Sequence, residues 1–325
     1  MDTVNYVSYA IDTQDLQREK MVRTLKLGLI KYLIKSNLAD EINISFTKSK
    51  VETNQKDEWN YWLFNFSLNS NFNGQANQDA LWLQGSVNAN RTTENSKVNF
   101  NTYSTYSQNK YVYDNGTEQT NILSLSRAQG LNSYYVNSID NHWSWGFWAG
   151  INTSTYSNLK YSLFAAPGIE YNIFPYTVSN ERQFMIDYQI KSIYNNYIQE
   201  TIFLKNDDYL WCNYVSLSFS LIKPWGNINI HCNGASFLND LNFYQLGISS
   251  NFSVELFRGV SVNFYGGYSK IQDQFSLPIS GESLEDVLTQ AKQIPTSYNY
   301  WGGLGVSYSF GSIYNNFVNS RFDGV

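Results

Sequence analysis

Apolar and small polar residues alternate along the chain from Trp59 almost to its end. A period of two is typical of β-strands, in which successive side chains point to opposite faces of a sheet. Residues 244–256 give a clear example, with an apolar set formed by Tyr244, Leu246, Ile248, Phe252, Val254 and Leu256. The residues of the opposite set are Gln245, Gly247, Ser249, Asn251, Ser253 and Glu255. The pattern predicts a sheet with one apolar face and one polar face.

The composition is consistent with such a two-faced sheet lying in a membrane. Charged residues make up 15% of the chain and aromatic residues 17%, as expected for a wall between lipid and a wet interior. No stretch approaches the roughly 18 consecutive apolar residues of a transmembrane helix. A soluble β-sandwich is the alternative, but it would not need the aromatic residues that collect near both predicted rims. The net charge of −5 gives no reason to expect a nucleic-acid partner.

We therefore predict an all-β fold over residues 58–311, a transmembrane antiparallel β-barrel of about twelve strands in contact with outer-membrane lipid. The predicted strands are 58–70, 80–91, 96–113, 119–137, 142–156, 158–174, 181–202, 208–222, 226–238, 242–257, 259–272 and 297–311. Short turns such as Lys223–Gly226 connect them at one end, and more variable loops, including one from Gln274 to Thr296, at the other. This asymmetry is typical of bacterial outer-membrane barrels, whose short turns face the periplasm.

Residues 1–50 follow a different pattern, which predicts a small periplasmic β-α-β segment. Its helix, Gln14 to Lys35, carries two apolar stripes with Lys and Arg residues between them. The helix could lie on an anionic membrane surface, but we favour packing on the flanking strands, Val4–Tyr9 and Glu41–Thr47. Because residues 1–3 begin no signal peptide, the chain is expected to lack the true N-terminus of an exported protein. Residues 312–325 are predicted to form a periplasmic tail.

Several motifs resemble a family of uncharacterised bacterial outer-membrane β-barrel proteins. The motifs are Arg23-Thr24-Leu25-Lys26-Leu27-Gly28-Leu29, Trp59-Asn60-Tyr61-Trp62, Asn90-Arg91-Thr92-Thr93-Glu94, Glu170-Tyr171-Asn172-Ile173-Phe174-Pro175-Tyr176, Pro224-Trp225-Gly226, Leu256-Phe257-Arg258-Gly259 and Tyr308-Ser309-Phe310-Gly311-Ser312-Ile313-Tyr314-Asn315-Asn316 with Val318-Asn319 and Arg321-Phe322. The resemblance implies a bacterial outer-membrane barrel with a periplasmic N-terminal segment that is longer in other members. It implies no activity.

The candidates for chemistry are few. His142 lies at a predicted periplasmic turn, away from substrates at the outer leaflet, and His231 faces the lumen with no predicted carboxylate partner on the neighbouring strands. We therefore expect both to fill space rather than to act as catalytic bases. Cys212 and Cys232 fall on opposite faces of adjacent strands, with Cys232 predicted opposite about Ser218, and are therefore predicted to be free thiols. No metal-ligand spacing is present, and we assign no catalytic residue and expect no cofactor.

Four charged residues are predicted to face the lumen: Glu170, Asp187, Lys191 and Glu255. The orientation of Arg127 is open. The four could form a selectivity constriction, or an ion-pair network that fills a narrow barrel.

Three functions are compatible with these features. The first expectation is a structural or assembly role, in which residues 13–36 and 312–325 contact periplasmic or envelope proteins. The alternative is a channel for small solutes. An outer-membrane enzyme is the third, and the chain is expected not to be one, because no catalytic spacing is found.

Overall fold

The computed structural model describes residues 14–33, 57–114, 119–257, 259–279 and 292–311. The chain divides into two compact units, Met1–Lys56 and Asp57–Val325. In the first unit, helix α1 is Gln14–Leu33, and the last two residues of the predicted helix lie outside the described residues. The predicted strands beside it lie outside the described residues, as does the predicted tail 312–325. Among the described residues, no helix is long and apolar enough to cross a membrane.

The described residues of the second unit form twelve antiparallel strands in one sheet, each paired with its neighbours in sequence order from β1 to β12. The strands are β1 Trp62–Gln75, β2 Gln78–Thr92, β3 Ser96–Asp114, β4 Gln119–Ser138, β5 Trp143–Ser154, β6 Leu159–Asn172, β7 Arg182–Tyr197, β8 Asp207–Lys223, β9 Gly226–Phe237, β10 Tyr244–Phe257, β11 Val260–Ile271 and β12 Tyr298–Tyr308. The predicted strand number and the all-β fold are confirmed.

The strand bounds differ most from the prediction at the end of β7, which is Tyr197 rather than residue 202, and at the first hairpin. The sequence predicts a loop over residues 71–79, but Gln75 pairs with Gln78 and only Ala76 and Asn77 form the turn. The alternation of Asn71, Phe72 and Asn73 continues the strand through this region, because an unbroken period of two favours pairing to its end. The connections at the loop end therefore range from a two-residue turn to the long β11–β12 loop.

The sheet has a polar face and an apolar face, as the alternation predicts. On β1 the apolar face carries Phe64, Phe66, Leu68 and Phe72. Large side chains of this face are exposed even on interior strands, and examples are Phe147 at 44%, Leu217 at 37% and Ile248 at 49%. The buried side chains of strands β5 to β9 lie instead on the polar face. The packed interior of this unit is thus on the side that alternation marks as polar.

Two tight hairpins depend on glycine. In the β8–β9 turn Gly226 has a φ of 144°, and in the β10–β11 turn Gly259 has a φ of 85°. Both values lie where a Cβ atom causes strain. The β8–β9 turn consists of Pro224 and Trp225, since Lys223 pairs with Gly226.

The pairing registers accumulate a stagger across the sheet. The stagger is seen by following directly opposed residues from one strand to the next, starting at Trp62, at the beginning of β1. This row continues through Arg91, Val98, Tyr135, Phe147, Pro167, Ile190, Asn213, Ser236 and Tyr244. The same registers take the row through Gln272 to residue 296, just before the start of β12. Among the described strands, β1 and β12 each pair with one neighbour.

Candidate functional site on the polar face

Two predicted lumen acids, Glu170 on β6 and Asp187 on β7, are directly opposed across the β6–β7 ladder. Both lie on the polar face. One Asp187 oxygen, Oδ2, accepts a hydrogen bond from Gln189 Nε2 at 2.8 Å and a longer one from Ser216 Oγ at 3.4 Å. The other oxygen, Oδ1, is buried with no hydrogen-bond partner. Like charges at directly opposed positions destabilise a sheet. The acid pair is therefore unfavourable for the stability of the sheet, which makes it a candidate functional site.

Lys191 does not neutralise the acid pair. Its Nζ lies 3.8 Å from the centroid of the Tyr214 ring on β8, in a cation–π contact. Among the described residues, Lys191 forms no ion pair within 4 Å with Asp187 or Glu170. The ion-pair network that could have filled the interior is therefore not formed by these three side chains.

Tyr176 joins the acid pair from outside the strands, and sequence analysis missed it. It lies in a single 3-10 turn, Tyr176–Val178, within the β6–β7 connection. Its hydroxyl donates to Glu170 Oε1 at 2.8 Å and lies 2.9 Å from Ser144 Oγ. Burial, together with the hydrogen bond to Glu170, raises the pKa of Tyr176 to about 12. The turn thus folds inward far enough to hold one of the two acids.

Glu255 lies apart from the other predicted lumen charges. The row of opposed residues that contains Asp187 passes through Ser216 and Asn233 and reaches β10 at Gly247. Glu255 is eight residues further along β10 and exposed, which corresponds to about 27 Å at the rise of an extended strand. The structure therefore brings together Glu170 and Asp187, keeps Lys191 on the same face, and separates Glu255.

Arg127, whose orientation sequence analysis left open, lies on the apolar face. It is exposed, directly opposite Tyr106 on β3, and its guanidinium is 5.5 Å from that ring. The β4–β5 pairing begins only at Ala128, so Arg127 is close to the loop rim. A rim position lets a long cationic side chain reach water or headgroups.

The histidines occupy hydrogen-bonded sites. At the β4–β5 turn, His142 Nδ1 is 2.7 Å from the Asn172 carbonyl oxygen. Asp140 accepts bonds from the backbone N–H groups of His142 and Trp143, and these lower the pKa of Asp140. His231 Nδ1 lies 2.8 Å from Ser218 Oγ on the polar face. Neither pair includes the carboxylate of a catalytic triad.

Both cysteines are free, as predicted. Cys212 pairs with Phe237 and Cys232 pairs with Leu217, which places the two cysteines well apart along the ladder. The predicted partner of Cys232, Ser218, is wrong by one residue, because the β8–β9 turn is centred between Pro224 and Trp225. Among the described residues, no three Cys, His, Asp or Glu side chains form a group that could hold a metal.

An apolar cluster covers part of the polar face at the loop end. Its buried members are Leu210, Cys212 and Phe237, and the residues packed on them include Phe243 and Phe275. Phe275 belongs to the β11–β12 loop, and its ring lies 4.7 Å from that of Phe237. Burial raises the pKa of the nearby Asp273. The loop therefore turns inward over the polar face instead of extending away from the sheet.

Beyond Phe275, the same loop forms backbone hydrogen bonds with the β7–β8 connection. Ile202 N donates to Leu277 O and Ile279 N donates to Glu200 O, each at 2.8 Å. Thr201, which is fully buried, pairs with Pro278 in an isolated bridge. Residues 272–279 thus reach from β11 to a connection three strands away.

Asn158, in the β5–β6 turn, links this turn to the β7–β8 connection and to the β11–β12 loop. Its Nδ2 donates to Gln199 O at 2.8 Å and to Ser276 O at 2.9 Å, and its Oδ1 accepts from Gln199 N at 2.8 Å. Its φ of 55° lies in the left-handed region, which Asn tolerates better than most residues. We define Asn158 with these contacts as the loop clasp.

Replacing Asn158 with Ala is expected to open the loop clasp. The variant loses three hydrogen bonds and places a Cβ-bearing residue without a polar side chain in a left-handed conformation, which costs about 1–2 kcal/mol. Limited trypsin digestion should then cut after Lys292 faster than in the wild type, with the product identified by mass spectrometry. Asn158→Asp, which keeps the bond from Gln199 N, should give an intermediate rate. Cleavage of Asn158→Ala at the wild-type rate would show that the clasp does not hold the loop.

In comparisons with known proteins, no family model matches the chain and no curated protein matches it either.

Proposed function

We propose that the chain is an integral β-barrel protein of a bacterial outer membrane, whose lumen passes small polar solutes. The observation that supports a membrane location is the exposure of the apolar face on edge and interior strands alike. Leu131, Ile248 and Leu304 are 47%, 49% and 70% exposed. A continuous apolar surface of this extent needs lipid or a protein partner to cover it, and lipid would cover all twelve strands equally.

The stagger of the sheet supports closure of β1 on β12. In a closed barrel the start of β1 lies beside the end of β12, near Tyr308 or Phe310, whereas the row from Trp62 arrives at residue 296. The offset along the chain between residue 296 and the residue beside Trp62, Tyr308 or Phe310, is then twelve or fourteen residues. With about 3.4 Å per residue and about 4.8 Å between twelve strands, it corresponds to a strand tilt of roughly 35–40°, within the range of transmembrane barrels.

The contact of the β11–β12 loop with the β5–β6 turn also supports a closed barrel. Gln293 N donates to Tyr156 O, in the β5–β6 turn, at 2.9 Å. Gln293 is five residues before β12, a reach of about 17 Å. A flat sheet would place β12 about six strand spacings, or roughly 29 Å, from that turn. The direct path is shorter than the path along the sheet, as expected if the polar face is the inside of a barrel.

Passage of solutes is supported by the chemistry of the polar face. The polar face of β1 consists of Leu63 followed by Asn65, Ser67, Asn69, Asn71, Asn73 and Gln75. Small neutral groups of this kind leave room for water, and the acid pair Glu170 and Asp187 is not locked to Lys191. The docked β11–β12 loop would narrow the passage at one end rather than fill its length.

Thiol labelling during conductance recording tests this proposal. In a chain with Cys212→Ala and Cys232→Ser, Asn251→Cys places a thiol on the polar face and the neighbouring Ser250→Cys places one on the apolar face. A charged, membrane-impermeant thiol reagent should change the single-channel conductance of the first variant only. A correctly folded chain that gives no conductance steps in a planar bilayer would contradict solute passage, while leaving the barrel possible.

A second candidate function, a structural or assembly role, is favoured by helix α1. Its apolar side chains are exposed, with Leu25 at 59% and Leu27 at 58%, so they are available to a periplasmic or envelope partner. Leu25→Glu combined with Leu27→Glu should abolish recovery of such a partner in a pull-down. Arg23→Glu, on the same helix, is the control for a change of charge alone. No enzymatic activity is part of either proposal.

A further inference from the structure

A cavity of about 340 Å³ lies against the polar face of strands β7 to β12. Its wall follows two adjacent rows of directly opposed residues. The first row is Met185, Ser218, His231, Ser249, Gly267 and Trp301. The second row is Gln183, Ser220, Asn229, Asn251, Tyr265 and Gly303. The cavity is therefore a continuous strip of wall, distinct from the acid pair on β6 and β7.

Two aromatic rings form a platform at one end of this strip. Trp301 on β12 is opposite Gly267, and Tyr265 on β11 is opposite Gly303. A Cβ atom on Gly267 would lie 3.0 Å from the Trp301 indole, and one on Gly303 would lie 2.6 Å from the Tyr265 ring. Each ring thus lies over the glycine across the ladder, an arrangement that holds aromatic rings against a sheet.

The two rings lie side by side along the cavity and are tilted relative to each other. Their centroids are 6.2 Å apart and their planes differ by 30°, and the side chains are 53% and 55% exposed. Glycine at both opposed positions is what permits this flat orientation, because any side chain there would lift the ring from the wall. We define Tyr265 and Trp301 as the aromatic platform.

The rest of the lining combines apolar groups, such as the Met185 side chain, with polar groups that carry no formal charge. It contributes side-chain amides from Gln183, Asn229 and Asn251, together with serine hydroxyls. Some of these groups are already hydrogen-bonded to each other, as in Ser220 Oγ to Asn229 Oδ1 at 2.8 Å. Among the described residues that line the cavity, none is Asp, Glu, Lys or Arg. A charged solute would therefore find no counter-ion here, whereas a neutral one could exchange hydrogen bonds with several amides and hydroxyls.

We infer that this strip is a binding site for a neutral saccharide. One face of a sugar ring carries C–H groups, which are attracted to the electron-rich face of an aromatic ring, and its hydroxyl groups match the amides and serines. The volume suits one or two sugar units, since ligand pockets begin at about 300 Å³. The inference rests on the proposed function in one respect: it names neutral saccharides as the solutes that would pass through the lumen. Binding itself does not require passage.

Saccharide binding is tested on the folded, detergent-solubilised full chain by isothermal titration calorimetry. The probes are maltotriose, cellotriose and lactose, with trigalacturonate as an anionic comparison. At least one neutral probe should bind, and trigalacturonate should bind more weakly. Trp301→Ala should raise the dissociation constant of that probe on the order of tenfold, as for an aromatic residue at the centre of a binding site. Trp301→Phe, which keeps a ring, should raise it less.

Tyr300→Ala is the matched control, because Tyr300 is the adjacent aromatic residue on the apolar face and 77% exposed. It should leave the dissociation constant unchanged. Circular dichroism confirms folding of each variant. Failure of all three neutral probes to bind, or equal losses in Trp301→Ala and Tyr300→Ala, would overturn the inference. Binding without bilayer conductance would contradict solute passage alone, and conductance without binding would contradict the saccharide site alone.

Discussion

A disulfide is expected to form between β1 and β12 when Asn65→Cys is combined with a cysteine at Gly305, Ser307 or Ser309. All these positions lie on the polar face. The observed registers make residue 305 the partner of residue 65 if the offset at closure is twelve, 307 if it is fourteen and 309 if it is sixteen. Directly opposed residues in an antiparallel pair approach to Cβ separations that a disulfide can bridge. One of the three combinations should dominate.

The experiment begins with Cys212 and Cys232 replaced by Ser, so that each chain contains only the introduced pair. Oxidation in membranes is followed by non-reducing electrophoresis and mass spectrometry of the linked peptides. Asn65→Cys with Asn299→Cys is the control, because residue 299 lies towards the loop end of β12 and should give no cross-link within a chain. Absence of a cross-link at 305, 307 and 309 alike would contradict closure of the barrel in the observed registers.

The second large effect is expected from a charge placed on the apolar face. Leu68, near the middle of β1, is 82% exposed. Leu68→Arg should lower the free energy of unfolding from lipid vesicles by about 2–4 kcal/mol, the cost of Arg on the lipid face at the bilayer midplane. The variant is compared with the wild type by denaturant titration followed by tryptophan fluorescence.

Asn69→Arg provides the control at the next residue of the same strand, where the side chain faces the polar side. The same positive charge should then be solvated in the lumen and change the unfolding free energy by less than about 1 kcal/mol. The contrast between neighbours is the informative quantity, since both variants introduce the same side chain into β1. Equal effects of the two substitutions would mean that lipid does not contact the apolar face.

The strand number and the two faces could be predicted from the sequence because both depend on local periodicity. On β10, for example, Leu246 and Ile248 were assigned to one face, and both are exposed there. Alternation also placed Cys212 and Cys232 on opposite faces. Alternation could not predict the pairing register to within one residue, since one additional residue in a turn shifts the pairing. The partner of Cys232 was missed for this reason.

The parts of the site that sequence analysis missed depend on contacts between distant segments. Tyr176 reaches Glu170 only because the β6–β7 connection turns inward, and no local pattern marks that turn as inward. The contacts of Asn158 likewise join connections that are more than 100 residues apart in sequence. The aromatic platform left one local signal: Trp301 follows Tyr300 directly, so two large rings occupy opposite faces. The glycines opposite the rings become meaningful only when the register is known.

The order of the strands also constrains how the protein can assemble. Each ladder joins strands that are adjacent in sequence, so the sheet can grow by adding one hairpin at a time, and each step closes only a short stretch of chain. In the proposed barrel, union of the first and last strands is the exception, because it would link residues that are more than 200 positions apart and would therefore have a higher entropic cost. Until that step, both terminal strands expose unpaired backbone groups that can recruit other chains. If the barrel closes as proposed, the seam between these two strands, rather than any hairpin, is where a folding helper would have most effect.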